Sequence, residues 1–207
     1  MYRSTLPIWG DSNRRELARG IQSHCLLAAV RSATDPLSIA AHNTQPFRFD
    51  QLTFLHNGYL EDFAARWMRP LRQSLSETAY RAVSGVSDSE HVFAIVLDEW
   101  LRQSEAEAET RLSRAVEAAV RRLLASAALL DARALLTLVV SDGQQLLAAR
   151  AAHRAECPTL YRFDEPEGGG VSFASEPLDS QAGWTPIAVG SLCRVRLGQP
   201  PKSWELA

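Results

Sequence analysis

Helical spacing dominates the middle of the chain. In "EAEAETRLSRAVEAAVRRLLASAALL" (105–130), Leu112, Val116, Val120, Leu123 and Leu124 recur at helical steps, which predicts one long helix. Glu107→Arg111 and Glu117→Arg121 add favourable charge pairs one turn apart on its wet face. Upstream, Ser87 and Glu90 have the spacing of a capping box, and Val92, Val96 and Trp100 form one stripe, predicting a helix from there through Trp100. A short helix is predicted in "GDSNRRELARGIQ", with Ser12 as N-cap and Leu17 and Ile21 one turn apart. After Asp131 the pattern changes to strands. "ALLTLVV" and "QQLLAAR" flank Asp142-Gly143 and predict a hairpin. "TLYRF", "VSFASEP" and "SLCRVRL" follow as strands between turn residues, and the acidic "DEPEGGG" is a turn insertion. Near the start, "CLLAAVRS" (25–32) reads as a buried strand carrying Arg31 at its end, and "QLTFLHN" (51–57) as a second strand stopped by Asn57-Gly58. The runs at 25–32 and 134–140 are apolar on both faces, as in a sheet covered on two sides. Strands and helices come in blocks, so the expected fold class is α+β with antiparallel sheets.

Composition narrows the function classes. The 207 residues are 46% hydrophobic and 22% charged, enough for one domain with a sizeable core. A formal charge of −2, with arginines interleaved among acids, gives no footprint for nucleic acid. No apolar run is long enough to span a bilayer, and no secretory signal is visible, so the expectation is a cytoplasmic protein with no membrane partner. Cys25, Cys157 and Cys193 lack metal-like spacing, and each reads as a small buried hydrophobe.

Four short texts hold the candidate chemistry: "VRSAT" (30–34), "AHNTQPF" (41–47), "HNG" (56–58) and "SDSE" (87–90). Each has an ordinary reading. Asn57-Gly58 is a strong hairpin-turn signal, Arg31 a surface charge at a strand end, and Asp88 an acidic residue suited to a helix N-terminus. His42 and His56 read as polar packing residues. Asn57-Gly58 is equally a place where negative charge could be stabilised, because Gly58 lacks a Cβ and its backbone can approach a ligand closely.

Taken in this order, the four texts resemble the class II glutamine amidotransferases, whose nucleophile is the N-terminal residue. They are most similar to the small amidohydrolase branch that acts in ergothioneine biosynthesis. "LVVSDGQQLLAAR", "FASEPLD" with Trp184 beyond, and the opening "YRSTLPIWGDSN" extend the resemblance over nearly the whole chain. It implies an αββα sandwich of antiparallel sheets flanked by helices, lacking its first strands here. It implies a small-molecule γ-glutamyl substrate whose carboxylate is held by Arg31 and whose ammonium is held by Asp88. Asn57 and the Gly58 N–H would form the oxyanion hole. No metal or organic cofactor is implied, and a homo-oligomer is allowed.

The family's nucleophile is a cysteine directly after the initiator methionine, with its own α-amino group as general base at a pKa near ~8. Position 2 here is Tyr2. The expectation is a single amidotransferase domain over 1–207, N-terminally truncated relative to a longer active protein and inactive by itself. The expected substrate is γ-glutamyl-hercynylcysteine sulfoxide. The alternatives are a catalytically dead γ-glutamyl or amino-acid binding module, and a glutathione-type γ-glutamyl hydrolase using the same clamp.

Overall fold

Strand β3 (Ala134–Ser141) lies at the centre of a six-stranded sheet, and nearly every residue in it is buried. The structure, a computed structural model, describes residues 1–31, 40–165, 169–180 and 182–206. Along the sheet the order is β1 (Phe47–Phe49), β2 (Leu52–Leu60), β3, β4 (Gln145–His153), β8 (Ser191–Arg196) and β9 (Gln199–Glu205). Every pairing is antiparallel. Asp142 makes the β3–β4 hairpin by accepting the N–H groups of Gln144 and Gln145, and Gly143 supplies the positive φ of 87°. A smaller sheet is ordered β6 (Val171–Ala174), β5 (Tyr161–Asp164), β7 (Thr185–Pro186). The loop between β5 and β6 is closed by Glu165 N–H donating to Gly170 C=O.

Strand alternation sorts the large sheet's residues onto two faces. Phe54, Leu60, Leu136, Leu138, Val140, Leu147, Ala149 and Leu192 form the principal core with two helices, α5 (Asp88–Arg102) and α6 (Ala108–Leu130). On the opposite face, Ala148 and Cys193 join Leu160 and Ile187 in a second cluster with Phe173 of the small sheet. The antiparallel sheets and flanking helices are those of the expected α+β class. Asp98 of α5 is wholly buried and accepts from Arg122 of α6 at 2.7 Å, Arg102 at 2.9 Å and Ser76 N–H at 2.9 Å.

Several local expectations are corrected. Residues 25–31 pair with no strand among the described residues, and Leu26 and Val30 are 71% and 72% exposed. An apolar run becomes a strand only when a neighbour completes its ladder; here a side-chain contact, Cys25 Sγ to Ser141 Oγ at 3.5 Å, reaches the sheet. Ser32 lies outside the described residues. Strand β2 does not stop at Asn57-Gly58; it runs through both to Leu60, paired with β3 along its length, so this pair is not a turn. Helix α1 is shorter than expected, Asn13–Gly20, and its first N–H is received by Asp11 rather than Ser12. Glu117 does pair with Arg121, but Arg111 turns from Glu107 to stack on the Trp100 ring and donate to its carbonyl. Strand β9, strand β1 and the short helices α2 (Phe63–Arg66), α3 (Met68–Ser74) and α4 (Glu77–Arg81) have too few residues at regular spacing to be read from pattern.

Candidate active site

The middle of β2 is where the candidate residues meet the start of α5. Side chains alternate along the strand, so His56 and Gly58 face the helix layer while Asn57 faces the other side. Asn57 is exposed and stands opposite Thr137 of β3. Gly58 is opposite Leu136, and a Cβ there would lie 2.0 Å from the Leu135 carbonyl oxygen and 2.6 Å from His56 Nε2. Only glycine permits that approach.

Backbone donors also alternate along the strand, between its two edges. Strand β1 pairs with β2 only as far as Phe54. Beyond it, the Gln45 side chain takes over: its Oε1 accepts from His56 N–H at 2.6 Å, and its Nε2 donates to His56 C=O at 2.9 Å. Four residues on, Leu60 N–H donates to Asp88 Oδ2 at 3.1 Å. Gly58 lies midway, so its N–H points to the same edge, and among the described residues no acceptor meets it there.

Asp88 opens α5. Ser87 is the N-cap, and its hydroxyl oxygen accepts from Glu90 N–H at 3.2 Å, as the capping-box spacing predicts. The reciprocal half differs: the Glu90 carboxylate receives Ser84 N–H and Gly85 N–H, which folds the preceding turn onto the helix. Gly85 is needed there because a Cβ would collide with Asn43 Oδ1 at 2.3 Å. Asn43 in turn receives Val86 N–H, so "AHNTQPF" serves as a brace for the helix start. His91 is neutral. Burial holds its imidazole below the ordinary range, with Arg72 pushing the same way; its Nε2 accepts from Arg72 at 2.8 Å and its Nδ1–H donates to Ser87 C=O.

His56 was absent from the sequence-predicted site, yet it links the two halves. Its ring is buried, with Nδ1 2.9 Å from Ser89 Oγ and Nε2 2.9 Å from Leu135 C=O. Ser89 N–H donates to Asp88 Oδ1 at 2.7 Å. The alternation of β2 was the one sequence signal that could have separated His56, on the core side, from Asn57. Arg31, by contrast, is exposed at the end of a stretch that pairs with no strand among the described residues.

The three thiols lie elsewhere. Cys25 sits by Ser141, which is four register positions from Thr137, roughly 13 Å along the strand. Cys157 is buried beside Thr137 Oγ1 at 3.6 Å and donates to Ala151 C=O. Cys193 is buried in the second cluster. Tyr2 donates its hydroxyl to Asp11 at 2.8 Å. Among the described residues no group of His, Cys, Asp and Glu side chains could hold a metal, and no helix is long and apolar enough to cross a membrane.

Comparison with known proteins gives the family of the chain. Residues 9–162 match the model of the class-II glutamine amidotransferases. The gamma-glutamyl-hercynylcysteine sulfoxide hydrolase of Mycolicibacterium smegmatis is 31% identical over 195 residues, which is 94% of this chain and 70% of that protein. The protein of the same name from Mycobacterium tuberculosis is 30% identical over 88% of this chain and 64% of its own length, so this chain spans about two thirds of these relatives. A solved glutamine aminotransferase class-II domain protein from Silicibacter pomeroyi shares the fold, with a TM-score of 0.78 and 24% identity over 99% of this chain and 84% of that one.

Proposed function

Because this chain belongs to the class II glutamine amidotransferases, we propose that it carries the substrate-holding half of a γ-glutamyl amidohydrolase site. Arg31 binds the α-carboxylate of a γ-glutamyl group through its planar fork, and Asp88 binds the α-ammonium. Asn57 and the Gly58 N–H receive the oxyanion that forms when the γ-amide carbonyl is attacked. Loss of one such donor costs about 3 kcal/mol of transition-state stabilisation.

One observation carries this reading. The Gly58 N–H faces an open strand edge between two backbone donors that are already taken, His56 by Gln45 and Leu60 by Asp88. A donor left over at that point, two residues along the strand from the N–H that holds the Asp88 carboxylate, suits a substrate that presents a carbonyl oxygen and an ammonium together. The proposed substrate is γ-glutamyl-hercynylcysteine sulfoxide, supported by the names of the relatives; glutathione-type γ-glutamyl amides use the same clamp. Attack by a cysteine thiolate would form a thioester and release the amine, and water would then release glutamate.

A second reading, binding without cleavage, is favoured by the positions of the thiols. Each is fixed beside β3, β4 or β8 and not along the open edge of β2. This 207-residue chain therefore holds the γ-glutamyl group without turning it over. Calorimetric titration of the chain with glutamate tests the pocket. Binding that Arg31→Ala abolishes is expected; a folded sample that takes up no glutamate overturns the proposal.

A further inference from the structure

The hydrogen-bond chemistry at His56 is over-determined. The Leu135 carbonyl can only accept, so His56 Nε2 must carry a proton at 2.9 Å from it. In the neutral ring Nδ1 is then an acceptor, and the group facing it is the Ser89 hydroxyl at 2.9 Å. That hydroxyl has one proton and two claimants, since Asp88 Oδ1 lies 3.3 Å from the same oxygen. We propose that His56 and Ser89 are positioning residues: they lock the Gly58 backbone and the Asp88 carboxylate into one unit, and the Ser89 proton sets how much of the Asp88 charge remains for a ligand ammonium. The proposal rests on the reading of Asp88 as the ammonium clamp.

The two states differ in bookkeeping of protons alone. With His56 neutral, Ser89 O–H donates to Nδ1, and Asp88 Oδ1 receives only the Ser89 N–H. With His56 protonated, Nδ1–H donates to Ser89 Oγ, and the hydroxyl proton turns to Asp88, where it competes with an ammonium. The surroundings restrict what else can intervene. Strand β3 offers the Leu135 carbonyl, the 44–46 segment offers neutral Gln45, β2 offers the Phe54 ring, and α5 offers Ser89 and the charged Asp88. Burial pushes the His56 imidazole below its ordinary range, against the pull of Asp88, so the neutral state prevails at neutral pH.

Two measurements on the full chain test this. Long-range proton–nitrogen spectra of histidine-labelled protein should show His56 as the Nε2–H tautomer at neutral pH; the Nδ1–H tautomer overturns the proposal without any mutation. Glutamate affinity should fall from its value at about pH 7.5 as the pH is lowered past the ordinary histidine range at ~6.5 and through the depressed His56 titration. Ser89→Ala should weaken binding about fivefold, the size of one ordinary hydrogen bond, and abolish that pH difference. An unchanged pH difference in the variant overturns the proposal. If the wild-type chain binds no glutamate, the clamp reading fails, and the tautomer together with a shift of the His56 titration in Ser89→Ala decides the linkage by itself.

Discussion

Two segments of this chain read almost alike, "CLLAAVRS" and "ALLTLVVS", and they end in opposite places. The second is β3, with β2 and β4 on its edges and helix α6 packed over one face. The first carries Leu26 and Val30 in solvent and joins no ladder among the described residues. Apolar content makes a segment suited to burial between two layers. It becomes a strand only where neighbouring strands take its N–H and C=O groups. The difference reaches the site, because Asp88 and Gly58 depend on the ladder beside β3, whereas Arg31 hangs on the unpaired run.

The comparison is broken most severely at Gly58. In Gly58→Ala the new methyl would sit 2.0 Å from the Leu135 carbonyl oxygen, which is backbone and cannot rotate away. Strands β2 and β3 must part locally, and His56 loses its acceptor. A destabilisation of about 4 kcal/mol is expected, at the upper end for point changes. Urea unfolding of the variant measures it. A loss below about 1 kcal/mol would mean that the two strands are not held at this spacing.

Next in size is Asp98, which ties down the helix pair that covers β3. Burial alone would raise its carboxyl pKa, but hydrogen bonds from Ser76 and Arg122, and the Arg102 charge, outweigh that and hold it below the ordinary value. A depressed folded pKa means that the contribution is present above the unfolded value near ~4 and is lost as pH falls through the folded one. Asp98→Asn should cost about 3 kcal/mol at neutral pH, since it takes a wholly buried carboxylate from Arg122 and Arg102 and leaves Arg122 with Glu99 as its remaining carboxylate. The gap between wild type and variant should narrow on acidification below pH ~4 in parallel denaturant titrations. A gap that is constant in pH would show that the carboxylate charge is not what stabilises the helix pair.

How much of this was legible in the sequence follows from the kind of signal each feature leaves. Helices α5 and α6 and the β3–β4 hairpin leave periodic or turn signals of their own, and they form where the pattern places them. Membership of the class II amidotransferases was legible in four short texts, because their order along the chain is more specific than any one of them. Asn57-Gly58 misled in one respect. Local chemistry favours a turn, but pairing with β3 from Thr53 to Leu60 overrides it and keeps the strand extended. His56, Ser89 and Gln45 leave no signal at all as single residues; their roles exist only through partners 33, 79 and 11 residues away. Arg31 was recognisable by motif, but among the described residues the strand expected to carry it does not form, since a ladder depends on distant segments that no local window contains.

The smallest expected effect is the sharpest test of that distinction. If residues 25–31 contribute little to the folded chain, truncating their exposed side chains should leave stability nearly unchanged. Leu26→Ala and Val30→Ala remove apolar atoms that are already mostly in water, so each should shift the unfolding free energy by under about 0.5 kcal/mol. Leu136→Ala and Leu138→Ala, in the look-alike run, remove fully buried side chains and should each cost about 2–5 kcal/mol. Equal losses in the two runs, measured by the same denaturant titration, would mean that the first run is buried in solution and that Arg31 is held more firmly than an exposed stretch allows.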